Sequence, residues 1–201
     1  MPQRPPSAVQ RFLQALGPLP PSRPNPALCV ISGLPGTGKS QFARELERRT
    51  GAIVLESDAL RRLLVEKPSY SWQESQRLFA AIHAVAERLL CEGVPIILDA
   101  TNLAEAHRRP LYAIAAKCGA RLLLVEVTAP AEVARTRLAE RAAAGESTSD
   151  ADVEVYERML PAREKIRREH FVVDTSKPYE RLLSAIAREM RRGGPQMEEP
   201  R

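Results

Sequence analysis

Gly33-Leu34-Pro35-Gly36-Thr37-Gly38-Lys39-Ser40 follows the spacing G-x-x-x-x-G-K-[ST], which suits the cradling of a phosphate chain. Gly33, Gly36 and Gly38 allow backbone conformations that a Cβ forbids, so successive N–H groups can turn inward around phosphate oxygens. A helix opening near Lys39 adds unpaired N–H donors and the positive end of its dipole. In this pattern the Lys39 ammonium reaches the β- and γ-phosphates and the Ser40 hydroxyl is a ligand of Mg²⁺. Pro35, Thr37 and Gln41 complete the stretch expected to touch the nucleotide. An apolar run in front (Leu28, Cys29, Val30, Ile31) and a helical pattern behind (Phe42, Ala43, Leu46) supply the strand, loop and helix that separate this motif from a chance Gly-Lys-Ser turn. The expectation is a nucleoside triphosphate site, with ATP and Mg²⁺ as cofactors.

Three further clusters bear on what is done with the triphosphate. In Glu56-Ser57-Asp58-Ala59-Leu60-Arg61, Asp58 can face the γ-phosphate across a gap the size of a hydroxyl and accept its proton. Arg61, three residues on, lies on the same helix face and can hold an anionic group of the acceptor; the alternative is that Asp58 only supplements a Ser57 helix cap. Asp99, closing an apolar run before Ala100-Thr101-Asn102, either assists the metal, directly or through water, or caps the next helix through Asn102, or orients Arg61. Arg137 and Arg141, one helical turn apart, either close over the phosphates as a lid or form salt bridges with acidic neighbours such as Glu140. His83, His107 and His170 are scattered and carry no assigned role.

Taken in order, the phosphate loop, Asp-x-x-Arg, Asp-Ala-Thr-Asn and Arg-x-x-x-Arg resemble the P-loop kinases related to phage polynucleotide 5′-kinase and the zeta-toxin group, often labelled AAA-family ATPases. The resemblance covers about residues 27 to 180. It implies Asp58 as general base, with Lys39, Arg137 and Arg141 as catalytic cations and Arg61 and Asn102 on the acceptor. It also implies Ser40 and Asp99 at the metal, and adenine packed near Thr175-Ser176-Lys177-Pro178. The implied reaction moves the γ-phosphoryl of ATP to a hydroxyl, with the 5′-hydroxyl of a polynucleotide or oligonucleotide as favoured acceptor. A small molecule (nucleotide sugar, antibiotic, sugar or nucleoside) is the alternative acceptor; an ATPase or nucleotide-dependent switch without acceptor is the rival from another class. The chain has no phosphatase or ligase domain of the kind the polynucleotide kinase group often carries. With aromatic residues at 4%, no aromatic-rich basic groove for single strands is evident.

These residues need a scaffold that gathers them. Short apolar strands over Ala27–Ser32, Ala52–Glu56, Ile96–Leu98, Arg121–Val127 and Phe171–Asp174 alternate with helices. The expected helices cover Lys39 to Thr50, Asp58 to Leu64, Trp72 to Cys91, Ala104 to Cys118, Pro130 to Ala144, Ala151 to Glu169 and Tyr179 to Arg192. Asn102 and Glu105 read as a capping box, and Pro110 as a kink or a first-turn residue. The alternation specifies an α/β P-loop NTPase fold: a five-stranded parallel sheet with helices on both faces and an Arg-bearing lid. Right-handed crossovers put the phosphate loop, Asp58 and Asp99 along one edge. Residues 1–26, with eight of the seventeen prolines, read as a leader that is either disordered or docked through one turn near Ala8 to Leu16. Residues 27–192 read as the kinase domain, Gly145 to Asp150 as a polar loop within it, and 193–201 as a flexible tail.

Composition excludes little else. No apolar run approaches the roughly 18 residues of a membrane span, and the N-terminus lacks the apolar centre of a secretory signal. The net charge of +5 permits anionic substrates without demanding nucleic acid. Cys29, Cys91 and Cys118 share no metal-ligand spacing, and their odd number argues for small core residues in a reducing cytoplasm rather than a disulfide framework. No obligate protein partner is evident.

Overall fold

The computed structural model describes residues 7–144 and 151–192. The expected polar loop Gly145–Asp150, the tail from Gly193 and the first six residues of the leader lie outside the described residues.

Five strands, β1 (Ala27–Ser32), β2 (Ile53–Glu56), β3 (Ile96–Asp99), β4 (Arg121–Thr128) and β5 (Phe171–Asp174), form one parallel sheet in the order β2-β3-β1-β4-β5. β1 is central and buried at every position, as a strand covered on both faces must be. Its period of two sorts side chains between two cores. Leu28 and Val30 join Leu55, Ile96 and Leu98 on one face. Cys29 and Ile31 join Ile97, Val125 and Val173 on the other.

The first face is covered by α4 (Trp72–Cys91) through Leu78, Ile82, Val85 and Leu89, and by Leu111 of α5 (Glu105–Lys117). The second is covered by Phe42 and Leu46 of α2 (Lys39–Thr50) and by Leu183 and Ile186 of α8 (Glu180–Arg191). Gly51 ends α2 in the left-handed conformation, its N–H donating to the Glu47 carbonyl at 2.8 Å. Within the leader, α1 (Ala8–Ala15) opens with a Ser7/Gln10 capping box and buries Phe12 completely against the first face. That ring contributes about 1.5–3 kcal/mol of transfer free energy, and Val9, Leu13 and Leu16 pack beside it on the same core.

Three expectations are corrected. The helix expected over Ala151 to Glu169 is α7 (Val153–Met159), followed by a 3₁₀ turn (Leu160–Ala162) and irregular chain. Pro161 is the cause: it has no N–H to donate and its ring collides with the preceding turn. Second, α5 has Ala104 at its N-cap with no side-chain cap; the Glu105 N–H instead donates to Glu164 Oε2 at 2.8 Å. Third, Cys91 and Cys118 form a disulfide. The last turns of α4 and α5 both lead into strands at the edge opposite the phosphate loop, and that shared destination brings the sulfurs together. Cys29 stays free and buried, and burial pushes its thiol up to about 12.

Candidate active site

The turn between β1 and α2 carries Gly36 and Gly38 at φ +75° and +85°. Gly38 is the left-handed N-cap of α2 and offers no side chain, so the first-turn N–H groups of α2 point toward the loop interior. The Leu34 carbonyl accepts from Lys39 Nζ at 2.9 Å and from the Thr37 hydroxyl at 2.7 Å, which curls the loop. Pro35 is buried in that curl. Gln41 stands apart from it, exposed on α2 with its amide donating to Glu45 Oε1 at 3.1 Å.

Parallel register brings carboxylates to the same edge. Asp99 ends β3 and is paired with Ile31 on one side and Glu56 on the other. Paired positions share a sheet face, here the face covered by α2. Asp99 is 3% exposed; the Ser40 hydroxyl lies close enough to favour its charged form, yet Oδ2 has no hydrogen-bond partner among the described residues. Burial pushes the Asp99 carboxyl up, opposed by the Lys39 ammonium and the Ser40 hydroxyl. Burial pushes Lys39 down, opposed by Asp99 and then Asp58. Glu56 is also raised, first by burial and then by Asp99. Three carboxylates thus share one ammonium, and a buried carboxylate oxygen lacks a donor. That donor set fits a divalent cation held by Ser40 and Asp99. Among the described residues no group of three or more His, Cys, Asp or Glu forms a cage by itself, as suits an ion that takes its other ligands from phosphates and water.

Asp58 lies in the first turn of α3 (Ser57–Leu64), which starts without any side-chain cap; Ser57 does not serve as one. Arg61, one turn later, is 6% exposed and engaged elsewhere than Asp99: Nη1 donates to Glu74 Oε1 at 2.5 Å and Nη2 to the Ser75 hydroxyl at 3.3 Å. The centroid of the Tyr70 ring lies 4.6 Å from its guanidinium carbon, and Nε has no hydrogen-bond partner among the described residues. Glu74 in turn accepts from the Ser69 hydroxyl at 2.7 Å and the Ser69 N–H at 2.8 Å. These Ser69 bonds, with Arg61, hold its carboxyl down to about 2, below its ordinary 4.5. A depressed folded-state value contributes stability above pH 4.5 that is lost as pH falls toward 2. The melting temperature of Glu74→Gln should therefore lie below that of the parent at pH 6, with the gap closing between pH 4.5 and 2; a gap independent of pH would contradict the latch.

Asn102 is bonded within the fold. It is 2% exposed, adopts φ +43°, and its amide donates to the Ile31 carbonyl at 2.8 Å. The Ser32 hydroxyl donates to its carbonyl, and Arg108, fully buried, donates to the Asn102 and Leu103 carbonyls at 2.7 Å each. Asn102 braces the exit of β3 against β1.

Arg137 and Arg141 lie on α6 (Ala131–Ala144). Arg137 donates to the Thr175 hydroxyl at 2.8 Å and the Thr175 carbonyl at 3.0 Å, and that hydroxyl donates to the Thr37 carbonyl at 2.8 Å. Arg141 donates to the Ala151 carbonyl at 2.9 Å, and its charge reaches Lys39 closely enough to push the ammonium down. Both guanidiniums therefore bond to groups other than Glu140, beside the loop. Leu34, at a variable position of the loop, packs with Leu103, Ala134, Leu138 and Tyr156 in a small core of its own. Thr175, expected beside the adenine, ties Arg137 to the phosphate loop. Glu56 and Arg108 carry no role in the sequence reading; of the two only Glu56 has a sequence signal, its place two residues before Asp58 at the end of a strand.

A family model described as an AAA domain, AAA_33, matches residues 28–166. The L-seryl-tRNA(Sec) kinase of Methanococcus maripaludis is 26% identical over 116 residues, which are 57% of this chain and 46% of that protein, so the chain spans about half the length of this relative. Among solved structures, the Mycobacterium tuberculosis APS kinase CysC in complex with AMPPNP and APS superposes with a TM-score of 0.62 at 22% identity, covering 84% of this chain and 98% of that one. Kti12 of Chaetomium thermophilum in complex with ADP-AlF3 gives 0.63 at 23% identity, covering 81% and 96%. At such identities the likeness is one of fold.

Proposed function

The chain belongs to the AAA_33 family of AAA domains, and from that premise we propose that it is an ATP-dependent phosphotransferase of the polynucleotide 5′-kinase and zeta-toxin kind. The favoured acceptor is the 5′-hydroxyl of a polynucleotide or oligonucleotide, and residues 27–192 are the kinase domain. The observation that carries the reading is one sheet edge. There Lys39, Ser40 and the incompletely satisfied Asp99 meet, with Asp58 in Coulombic reach of the same ammonium. Nucleotide binding by itself has no need of Asp58.

In this mechanism the acceptor hydroxyl lies between Asp58 and the γ-phosphorus. The Asp58 carboxylate takes the hydroxyl proton as the acceptor oxygen bonds to phosphorus and the bond to the β–γ bridging oxygen breaks, releasing ADP. Lys39 and the N-terminal amides of α2 hold the phosphates. Arg137 and Arg141 act as a lid that neutralises charge developing on the transferred group. Ser40 and Asp99 would hold Mg²⁺, with Glu56 on the same face of the sheet edge. The ion would supply neutralisation of the triphosphate's negative charge. Asn102, expected on the acceptor, would act there through its brace on the β3 exit.

A small-molecule acceptor is the second reading, and Arg61 favours it: an acceptor phosphate would have to displace Glu74 from the guanidinium. Among the described residues no helix is long and apolar enough to cross a membrane. We assign the activity to the cytoplasm, where ATP is supplied. The Cys91–Cys118 bond weighs against that assignment, since disulfides are rare in reducing compartments.

The test is transfer of labelled γ-phosphate from ATP and Mg²⁺ to 5′-hydroxyl DNA and RNA oligonucleotides, nucleosides, nucleotide sugars and aminoglycosides, with water as blank. Label at an oligonucleotide 5′ end is expected. Label on a small molecule alone would replace the acceptor, and inorganic phosphate alone would favour an ATPase or switch.

A further inference from the structure

The chain holds four Phe, four Tyr and one Trp. Only two of these rings are exposed, Tyr70 at 44% and Trp72 at 75%; they stand two positions apart, Tyr70 in the connection from α3 to α4 and Trp72 at the first position of α4. This connection leaves the helix that carries Asp58, and Arg61, one turn (about 4.5 Å of rise) beyond Asp58, touches the Tyr70 ring.

The segment is held in shape. Ser69 bonds to Glu74 through both its N–H and its hydroxyl, Ser71 caps α4 by accepting from the Glu74 N–H, and Glu74 holds Arg61. Tyr70 sits at φ +52°, a left-handed conformation that an aromatic residue seldom adopts without other contacts to enforce it. A cleft of about 400 Å³ adjoins the segment, lined by Arg61, Ser69, Ser71, Gln73, Glu74 and Arg77 among others. With Glu74 taken up by Arg61, Lys67 and Arg77 stand against Glu66 in this segment. Two exposed aromatic rings, one of them with the Arg61 guanidinium against it, beside this positive excess match an ionised strand that carries flat rings.

We propose that Tyr70 and Trp72 form a stacking platform for the bases of a single-stranded nucleic acid whose terminal hydroxyl reaches Asp58. The direction of the strand rests on the acceptor proposed above; the binding itself does not. Bases stack on Trp72 and Tyr70, while Lys67 and Arg77 face the phosphodiesters. Stacking tolerates any base, so the platform selects single strands over duplexes and not one sequence over another.

Trp72 is the only Trp, so its fluorescence reports on this site alone. The full chain, without ATP or Mg²⁺, is titrated with a 5′-hydroxyl hexamer of deoxyadenylate and with an abasic sugar-phosphate hexamer of equal charge. Saturable quenching by the first and not by the second is expected. By anisotropy of a labelled deoxyadenylate hexamer, Trp72→Ala should weaken binding about 5- to 150-fold, the equivalent of one stacked base, while Trp72→Phe retains most of the affinity. Equal quenching by the abasic strand, or unchanged binding by Trp72→Ala, would overturn the platform. At 75% exposure the substitution does not threaten the fold. Base-dependent binding through Trp72 without phosphoryl transfer would refute the proposed acceptor and leave the platform standing. Transfer to an oligonucleotide that is indifferent to Trp72 would refute the platform alone.

Discussion

Asp58→Asn is expected to lower phosphoryl transfer about 10²- to 10⁴-fold in kcat, the range a positioned general base supplies, with little change in ATP affinity. Asn keeps the shape and position of the side chain and loses the ability to take a proton. Loss of the Asp58 charge also removes one of the influences that hold the Lys39 ammonium up, but Asp99, the largest of the three, and Glu56 remain. The hold of Lys39 on the nucleotide therefore does not hang on Asp58. Transfer measured with labelled ATP, beside ATP affinity by calorimetry, separates the two effects. A simple ATPase or switch predicts the opposite pattern, with nucleotide turnover spared, and transfer at the parental rate would remove Asp58 from the role of base.

Gly36→Ala should cost both affinity and stability. The φ of +75° is unfavourable for a residue with a Cβ, and that Cβ would lie 2.6 Å from the Ala134 carbonyl oxygen and 2.9 Å from Leu138 Cγ. Backbone cannot yield there as a flexible side chain can, so the loop and α6 must part. Overpacking of this kind costs about 1–3 kcal/mol, which is about 2–12 °C in melting temperature for a domain of this size. ATP affinity should fall by at least about tenfold, because the amides that cradle phosphate move with the loop. Gly51→Ala is the matched control: φ is +67° and the space around the added Cβ is open, so only the backbone strain remains and the loop is untouched. Scanning fluorimetry and calorimetry on the pair decide the matter. Equal effects on ATP affinity at both positions would show that the Gly36 contact with α6 does not matter.

The fold was legible because its signals are local. An apolar run, a glycine loop and a helical stripe lie consecutively over residues 28–46, and the same alternation repeats to β5. Local signals also misled. The helical pattern over Ala151 to Glu169 drew attention from Pro161, and the odd cysteine count hid a pair that only the packing of α4 against α5 could reveal. At the candidate site, Lys39, Ser40 and Asp99 could be brought to one edge by topology. The neighbour of Asp99 could not be read this way, since Glu56 stands beside it only because β2 pairs with β3, 43 residues apart in register. Arg61 shows the same limit. Its residue type and its spacing from Asp58 suit an anion, but the carboxylate that occupies it comes from the following helix. The low aromatic content likewise said nothing about where aromatic rings would surface, and the two exposed ones stand two positions apart where the chain enters α4.

Leu34 bears on how far such a chain can be taken apart. Its carbonyl organises the phosphate loop, and its side chain belongs to the core formed with Leu103, Ala134, Leu138 and Tyr156. The four positions written as x in the motif are therefore not blank. A graft of the same eight-residue pattern from another nucleotide-binding protein would keep Gly33, Gly38, Lys39 and a hydroxyl at position 40, and still sever the loop from α6 and α7. The motif is interchangeable as a signature but not as a cassette, and a chimaera here should be designed with α6 and α7 included in the exchanged unit.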